Sequence, residues 1–389
     1  MRTQVCIIGG GPSGLLLSQL LHLHGIDSVV LEQRSREYVL ARIRAGVLEH
    51  GTVELLREAQ VGARMDARGI VDDGTVVAGE HHGFRIDLKA LTGKAMMVWG
   101  QTEITQDLYD ARAAMDGTVI TEAEGVTPHE VQGAAPHVTY RKNGAEHRVD
   151  CDWIAGCDGY HGISRRSIPR DVLREFERVY PFGWLGVLSE TPPVSHEILY
   201  ASHSRGFALA SLRNDNLSRY YVQVDNTEKV DGWSDARFWD EFKRRLPEEF
   251  SDRLITGPSI EKSIAPLRSY VAEPMRWGRL FLVGDAAHIV PPTGAKGLNL
   301  AASDVRYLHR ALVAHYRDGD DTGLDGYAAT AAARVWKATR FSWWFTTMMH
   351  RFPDQSEFER KMQETELAFL EGSTAAQTAF AENYVGLPF

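Results

Sequence analysis

The chain has 389 residues, 43% of them hydrophobic, and a formal net charge of −9. This length predicts a large core divided between two domains, and the acidic balance argues against a nucleic-acid partner, which requires a concentrated basic face. No apolar stretch has the length of a membrane-spanning helix and no signal peptide is recognisable, so no membrane partner is expected. Three cysteines, an odd number, favour a cytoplasmic location, and the scattered histidines predict no metal site.

A glycine-rich turn follows the first apolar run, Val5–Ile8. Gly9 permits a tight turn, Gly11 lets backbone amides approach a pyrophosphate, and Gly14 allows close packing of the next helix on the strand. Glu32 closes the second apolar run, where a carboxylate accepts hydrogen bonds from ribose hydroxyls. The order strand, turn, helix, strand, acid predicts a dinucleotide site, and a simple chain reversal is the alternative.

Arginines follow Glu32 in two groups. Arg34 and Arg36 come first, and Arg42 and Arg44 then precede Gly46. Arginines beside a glycine near a nucleotide turn suit phosphate contacts, whereas a solvated helix flank is the alternative.

The remaining elements are predicted from periodicity and turn signals. Strands in an antiparallel meander, with a turn at Asn143-Gly144, are expected across 118–156, and a second antiparallel group is expected across 183–224. Helical patterns cover 47–58, 235–245, 297–317 and 330–349.

A strand, a Gly284-Asp285 turn, a proline-glycine loop and a helix start are predicted in sequence across 279–299. Asp285 at a strand end can accept a hydrogen bond from a ribitol hydroxyl, and the N-terminus of the following helix can hold a flavin carbonyl or a pyrophosphate.

Three motifs carry a resemblance to a known family: the glycine turn at 9–14, Asp158-Gly159 followed by Ser164 and Arg166, and Gly284-Asp285. Together they resemble the single-component FAD-dependent aromatic hydroxylases. Segments 42–47, 179–186, 262–268, 284–299 and 381–388 resemble the branch that hydroxylates 4-hydroxybenzoate, and the likeness covers essentially the whole chain.

The resemblance implies an α/β (mixed α+β) fold: a Rossmann-like FAD-binding domain, an inserted antiparallel-sheet substrate domain and a helical C-terminal region. The FAD-binding domain is expected to comprise 1–72, 95–180 and 268–320, the substrate domain 73–94 and 181–267, and the helical region 321–389.

The motifs and the resemblance together assign contacts. Those with FAD are Gly9, Gly11, Ser13, Gly14, Glu32, Arg42, Ile43, Arg44, Ala45, Gly46, Val47, Gln101, Asp158, Asp285, Leu298 and Asn299. Those with the substrate are Tyr200, Ser211, Leu212, Arg213, Tyr221 and Pro292, and the catalytic pair is Tyr200 and Tyr384. Arg219, Lys296 and Asn299 match positions that tune the flavin, and His161, Arg268 and Arg44 match groups for the nicotinamide.

Residue chemistry supports the substrate assignment. The planar guanidinium of Arg213 suits a carboxylate, and Ser211 and Tyr221 offer further hydrogen bonds. An arginine buried without an anion is costly, and pairing with an internal acid is the alternative.

The two tyrosines are expected to move a proton. A phenol with a pKa of about 10 is mostly neutral at pH 7, whereas hydroxylation needs the electron-rich phenolate. The resemblance implies that Tyr200 and Tyr384 accept that proton and that a histidine conducts it to solvent. Here Asp72 stands at the histidine position.

The implied reaction is hydroxylation of 4-hydroxybenzoate at its 3-position to 3,4-dihydroxybenzoate, with FAD as cofactor and O2 as co-substrate. NADPH is favoured and NADH is the alternative, because the polar residues around Arg34, Arg36 and Tyr38 differ in order from the family pattern. A homodimer is implied, with 341–349 as an interface or as core. The alternatives are a different benzoate, such as 3,4-dihydroxybenzoate or an aminobenzoate, and a noncatalytic FAD-binding redox sensor.

Overall fold

The computed structural model describes residues 1–41 and 46–389. Its strands are β1 Val5–Ile8, β2 Ser28–Leu31, β3 Val47–Leu48, β4 Ile70–Asp72, β5 Gly74–Ala78, β6 Gly83–Asp87, β7 Met96–Val98, β8 Thr118–Ile120, β9 Glu124–His129, β10 His137–Lys142, β11 Ala145–Asp150, β12 Trp153–Gly156, β13 Arg174–Ser189, β14 Leu199–His203, β15 Gly206–Asn214, β16 Leu217–Asp225, β17 Ser259–Glu273, β18 Arg276–Trp277, β19 Leu280–Leu282 and β20 His288–Ile289. Its helices are α1 Pro12–Leu23, α2 Arg36–Leu40, α3 His50–Glu58, α4 Ala63–Arg68, α5 Leu88–Thr92, α6 Gln101–Ala114, α7 Asp235–Arg244, α8 Glu248–Ser251, α9 Gly297–Asp318, α10 Thr322–Met349, α11 Glu357–Gly372 and α12 Thr374–Val385.

A mainly parallel sheet forms the core of the nucleotide-binding half. Its strand order is β18-β19-β12-β1-β2-β8, and β1 pairs in parallel with β2 and β12. The continuous apolar runs of β1 and β2 are buried, as expected for strands covered on both faces. Helix α1 packs against α6 and α9 beside this sheet. The mixed α/β class is therefore confirmed.

A second sheet, in the order β20-β17-β13-β16-β15-β14-β5-β6, lies beside the first. One of its faces packs on Phe238, Trp239 and Phe242 of α7, and the other packs on α10 and α12. The predicted domain boundaries at 180 and 267 fall inside the long strands β13 and β17. The division into domains therefore stays a prediction.

Three predictions about elements need correction. The strands across 118–156 do not form one meander, because β8 and β12 belong to the parallel sheet and only β9 to β11 pair antiparallel. The pattern at 47–58 begins with β3, and its helix starts at His50. Helix α10 starts at Thr322 rather than 330. Strand propensity and tertiary pairing decide these boundaries, which periodicity locates poorly.

The segment 341–349 is mainly core. Phe341, Phe345 and Met349 are buried in the cluster that also contains Tyr200 and Tyr384, whereas Trp343 is 42% exposed. Of the two alternatives, this packing favours core over interface.

Candidate active site

The glycine turn has the geometry that its spacing predicts. Gly9 adopts φ +111°, and a Cβ atom there would lie 2.3 Å from the Cys157 carbonyl oxygen. A Cβ on Gly14 would lie 2.0 Å from the Gly9 carbonyl oxygen. Gly11 faces open space and is the N-cap of α1, where no side chain of the described residues caps the helix. The first amides of α1 are therefore available to a pyrophosphate.

Glu32 is fixed at the end of β2. Its carboxylate oxygens accept hydrogen bonds from the Gly10 and Arg34 amides, each at 2.7 Å. A carboxylate accepts about four hydrogen bonds, so two further sites remain for ribose hydroxyls. This arrangement and the open approach at Gly11 fit the adenosine half of FAD.

Asp158 stabilises its own loop. Its Oδ2 atom accepts from the Ser164 amide at 2.9 Å and the Ser164 hydroxyl at 3.0 Å. Its Oδ1 atom is buried and has no hydrogen-bond partner among the described residues. Burial raises the pKa of this carboxyl group. Asp158 thus shapes the loop and leaves one oxygen for a cofactor group.

The Gly284-Asp285 turn is held from behind by a buried pair. The Gly284 amide donates to Asp304 Oδ2 at 2.9 Å, and His288 Nε2 contacts the same oxygen at 2.7 Å. Gly284 has φ +62°, a conformation that favours glycine. The turn therefore presents Asp285, which is partly exposed, in a fixed position.

Other predicted FAD contacts lie on neighbouring elements. Ser13 and Leu298 line one narrow cleft between α1, α3 and α9, and Gln101 begins α6. Gly46 packs so closely that a Cβ would lie 1.8 Å from the Trp99 carbonyl oxygen, and Val47 follows it in β3. The predicted contacts Arg42, Ile43, Arg44 and Ala45 lie outside the described residues.

The side chain of Asn299 is fully engaged inside the protein. Its oxygen accepts from the Glu49 amide at 2.9 Å and the Thr52 hydroxyl at 2.7 Å, and its nitrogen donates to the carbonyls of Val47 and Ala295. The prediction for Asn299 therefore needs refinement: its side chain joins α9 to β3 and α3, and its backbone is what remains for FAD.

A buried ionic group connects this region to the C-terminal tail. Lys296 Nζ donates to Glu49 Oε1 at 2.7 Å and to the Tyr384 carbonyl at 2.8 Å, and Arg334 donates to Glu49 Oε2 at 2.9 Å. Burial lowers the pKa of Lys296, and Glu49 opposes that effect. Nothing in the local sequence of Glu49 or Arg334 distinguishes them, so their part in this group is visible only in the structure.

The substrate residues lie mainly on one face of the second sheet. Tyr200 of β14 pairs with Leu209 of β15, and Leu209 in turn pairs with Tyr221 of β16. Residues in register share a face, so Tyr200 and Tyr221 point the same way. Ser211 lies two residues beyond Leu209 on that face.

Leu212 stays a predicted substrate contact. Alternation along β15 points its buried side chain to the face opposite Ser211. Leu212 can therefore offer a ligand only its backbone.

Arg213 follows Leu212 at an irregularity of β15. Its Nη1 donates to the Leu212 carbonyl at 3.3 Å, and no carboxylate of the described residues lies within ion-pair distance. Burial lowers the pKa of this guanidinium, and Arg219 adds repulsion. The alternative of an internal ion pair is thus not what the described chain shows, and Arg213 is suited to an external anion.

Tyr200 and Tyr384 are joined directly. Their hydroxyl oxygens are 2.8 Å apart, and both side chains are buried. Burial raises the pKa of both phenols above the ordinary value. Both rings are consequently neutral near pH 7 and form a hydrogen-bonded chain that conducts a proton without holding charge.

The residues matched to nicotinamide binding lie on the outer side. Arg268 Nη1 donates to the Tyr160 hydroxyl at 2.8 Å and contacts Glu177 at 3.2 Å, and His161 packs against Tyr160. Pro292 is exposed, as a residue at a ligand entrance can be.

The described residues also bring together His24, Glu58 and His309 at metal-ligand distances. The His24 and His309 rings are stacked, with their centroids 4.8 Å apart and their planes inclined by 18°. Burial, His24 and neighbouring arginines lower the pKa of His309 to about 3.

Comparison with known proteins decides the family. The model of the FAD binding domain family matches residues 2–342. The p-hydroxybenzoate hydroxylase of Acinetobacter baylyi (strain ATCC 33305 / BD413 / ADP1) is 54% identical over 390 residues, which cover 100% of this chain and 96% of the relative.

The chain belongs to the p-hydroxybenzoate hydroxylase family of FAD-dependent monooxygenases. The para-nitrophenol 4-monooxygenase of Pseudomonas sp. (strain WBC-3) is 26% identical over 83% of this chain and 81% of the relative. Among solved structures, p-nitrophenol 4-monooxygenase PnpA from Pseudomonas putida DLL-E4 has the same fold, with a TM-score of 0.80, 19% identity and full coverage of both chains. Within the described part of this flavoprotein, no helix is long and apolar enough to cross a membrane.

Proposed function

We propose that this flavoprotein hydroxylates 4-hydroxybenzoate at the 3-position, giving 3,4-dihydroxybenzoate. The observation that carries the proposal is a half-buried Arg213 that has no ion pair with the described residues, together with a Tyr200–Tyr384 hydrogen bond between the second sheet and α12. An aryl carboxylate satisfies the guanidinium, and a hydroxyl at the opposite end of the ring meets a phenol. The 54% identical relative named p-hydroxybenzoate hydroxylase supports the same substrate.

Binding at this site fixes the substrate at both ends. Arg213 offers two parallel N–H donors to a carboxylate, and the Tyr221 hydroxyl supplies a further donor. The Ser211 hydroxyl donates to the Arg219 carbonyl at 3.3 Å and would exchange that bond for one to the ligand. Exclusion of water by the surrounding aromatic cluster strengthens these contacts. The substrate ring is thereby held in one orientation for reaction at the carbon next to its hydroxyl.

The tyrosines prepare the substrate by removing its hydroxyl proton. Tyr200 accepts that proton while its own proton passes to Tyr384, and Tyr384 in turn gives up its proton toward solvent, so neither phenol stays charged. The resulting phenolate has the electron-rich ring that oxygen transfer requires. The chemistry that bound FAD supplies is the passage of two electrons from the nicotinamide to O2, so that one oxygen atom enters the ring and the other leaves as water.

We further propose NADPH as the preferred reductant, with NADH as the alternative. Arg34 and Arg36 follow Glu32 at the end of β2, and cations at this position suit a phosphorylated ribose. The buried free cysteines fit the cytoplasm, which we propose as the location of the protein. We also propose that the protein is a homodimer. Light scattering on the purified protein tests the dimer.

The assay for the function uses the purified yellow holoenzyme. NADPH and O2 consumption should match 3,4-dihydroxybenzoate formation one to one when 4-hydroxybenzoate is added. Full-rate nicotinamide oxidation with no hydroxylated product would overturn the substrate assignment. Parallel reactions with 3,4-dihydroxybenzoate and aminobenzoates define the specificity.

The Tyr200→Phe variant tests the role of the phenol. Loss of this proton acceptor should lower product yield per NADPH about tenfold or more while FAD stays bound. Tyr220→Phe is the matched control, because Tyr220 lies on the opposite face of the same sheet and donates to the Pro192 carbonyl at 3.2 Å. Equal yields from both variants would exclude Tyr200 from proton transfer.

A further inference from the structure

His350 directly follows α10 and is fully buried against the second sheet. The Trp184 indole, whose only polar group is a donor, donates to His350 Nε2 at 2.7 Å. A neutral imidazole has one N–H group, so His350 Nδ1 carries the hydrogen and donates to the Thr346 carbonyl at 2.9 Å. The two hydrogen bonds fix both the tautomer and the orientation of the ring.

The surroundings keep the His350 ring neutral. Burial and the positive charge of Arg245 lower its pKa to about 3, although the Thr346 carbonyl opposes the change. A protonated ring would also present a second N–H group to the indole N–H of Trp184. His350 therefore remains a hydrogen-bond acceptor for Trp184 near neutral pH.

Aromatic packing and backbone contacts hold His350 in place. The Phe182 and Phe207 rings stack on the imidazole, with centroids 4.8 Å and 4.3 Å from its own. The end of α10 is tied to the sheet, because Gln223 Oε1 accepts from the amides of Arg351 and Phe207, each at 3.1 Å. The acceptor nitrogen of His350 is thus at a fixed distance from the sheet.

Trp184 passes this order to Tyr221. Trp184 pairs with Gln223 across β13 and β16, and Tyr221 lies two residues from Gln223, so the two rings share one sheet face. Their centroids are 5.1 Å apart. The Tyr221 ring also lies against the bare backbone of Gly186, where a Cβ would lie 2.7 Å from Tyr221 Cε1. The position of the indole therefore limits where the Tyr221 ring can lie.

We propose that His350 is a positioning residue: by accepting the Trp184 N–H it holds the indole against Tyr221 and directs the Tyr221 hydroxyl to the substrate carboxylate. The inference rests on the proposed function, in which Arg213 and Tyr221 bind that carboxylate. His350 makes and breaks no bond in the reaction and acts only through the two rings.

The test measures the dissociation constant of 4-hydroxybenzoate by titrating the flavin absorbance of the holoenzyme. His350→Phe keeps a stacking ring and removes the acceptor, so the dissociation constant should rise about tenfold, as for loss of a hydrogen bond to a charged group. His350→Gln offers an acceptor oxygen and should recover most of the affinity. An unchanged dissociation constant in His350→Phe would overturn the proposal.

Kinetics separate positioning from a general loss of structure. In His350→Phe the KM for 4-hydroxybenzoate should rise with the dissociation constant. The kcat at saturating substrate should stay within about twofold, because the Tyr200–Tyr384 hydrogen bond does not involve His350. A fall of kcat with an unchanged KM would contradict a role at the carboxylate end.

A double variant decides whether the effect passes through Tyr221. Tyr221→Phe removes the hydroxyl and should itself weaken 4-hydroxybenzoate binding about tenfold. Adding His350→Phe to Tyr221→Phe should weaken binding no further, because the contact that His350 positions is already absent. Additive losses would show that His350 acts by another route and would overturn the proposal.

His309→Phe is the matched control. His309 is buried and also has its pKa lowered to about 3, but neither of its nitrogens has a hydrogen-bond partner among the described residues. Its replacement should leave the dissociation constant within about twofold. If His350→Phe does not fold, Trp184→Phe breaks the same hydrogen bond from the donor side, and an unchanged dissociation constant in that variant would overturn the proposal.

The unmodified protein separates the two levels of the argument. If it neither binds nor hydroxylates 4-hydroxybenzoate, the proposed function fails and this inference fails with it. If it does both while His350→Phe binds 4-hydroxybenzoate equally tightly, only the assignment of His350 fails.

Discussion

Arg213 carries a positive charge into a partly buried place where the only hydrogen bond it makes to the described residues is with the Leu212 carbonyl oxygen. Such a group destabilises the free protein and is compensated when an anion binds. Tyr200 and Tyr384 show the complementary case, because their phenols are satisfied by each other. Arg213 is thus distinguished by the anion that it lacks among the described residues, whereas the two tyrosines proposed to carry the proton already have each other as partners.

Replacing Arg213 with alanine should separate binding from stability. Loss of the guanidinium should weaken 4-hydroxybenzoate binding by about 2–5 kcal/mol, measured by titration of the flavin absorbance. The melting temperature without ligand should stay equal or rise, since an unpaired buried charge is removed. Arg205→Ala is the control, because Arg205 is 48% exposed and pairs with Glu241 on the surface. A large loss of stability in Arg213→Ala would indicate an internal partner.

At the scale of elements, the turn between β1 and α1 must pack closely and must also leave space for a ligand, and different glycines meet these two requirements. Gly14 allows the helix to approach the preceding turn, whereas Gly11 leaves room for a ligand.

The buried group of Glu49, Lys296 and Arg334 holds separate elements together. It joins the start of α9 and the helix α10 to the C-terminal region that carries Tyr384.

Alanine at Gly11 and at Gly14 should therefore give different defects. In Gly11→Ala the apoprotein should keep its free energy of unfolding within about 1 kcal/mol, while FAD binds more weakly because the Cβ occupies the approach to the amides. In Gly14→Ala a Cβ would lie 2.0 Å from the Gly9 carbonyl oxygen, so the apoprotein itself should lose about 1–3 kcal/mol. Urea unfolding of both apoproteins and FAD titration distinguish the two. Equal destabilisation would refute the division of roles.

Glu49→Gln should destabilise the protein by about 3–5 kcal/mol, since it leaves two buried cations without their shared carboxylate. Arg334 also donates to the Leu387 and Pro388 carbonyls, so the tail should become sensitive to carboxypeptidase. Urea unfolding and mass spectrometry of digests measure the two effects. The exposed Glu382→Gln serves as control and should change stability by less than about 0.5 kcal/mol. An intact, protected tail in Glu49→Gln would contradict this role.

At the scale of the whole molecule, the proposed FAD site is assembled from distant parts of the chain. The glycine turn at 9–14, the Asp158 loop and the Gly284 turn meet because β1, β12 and β19 are neighbours in one parallel sheet. A cofactor that bridges these segments binds the folded protein and not the unfolded chain, and stability should depend on its concentration.

Removal of FAD should consequently lower the melting temperature, and added FAD should restore it in proportion to the logarithm of its concentration. At one hundred times Kd the expected stabilisation is about 2.7 kcal/mol. Riboflavin lacks the pyrophosphate that the α1 amides would bind, so its effect should be smaller. Thermal melts of the apoprotein with each compound test this, and identical shifts would argue against pyrophosphate recognition.

Much of this protein was determined by local sequence. Gly9, Gly11, Gly14 and Glu32 define the nucleotide turn because backbone conformation and close approach restrict which residues fit. The spacing of these residues predicts the turn, and the structure has the predicted turn geometry. The family resemblance added Tyr200 and Tyr384 as a pair, and the structure joins them at 2.8 Å.

Only the tertiary structure decided what each polar side chain contacts. The register of β15 places the side chains of Leu212 and Ser211 on opposite faces of the sheet. Contacts between residues distant in sequence occupy the Asn299 side chain and form the buried group of Glu49, Lys296 and Arg334. Burial raises the pKa of Asp72 to about 7, and the charge of Glu197, a residue distant in sequence, raises it as well. Hydrogen bonding and desolvation depend on neighbours in space, whereas turns and strands depend on neighbours along the chain, and this difference separates what the sequence determines from what folding decides.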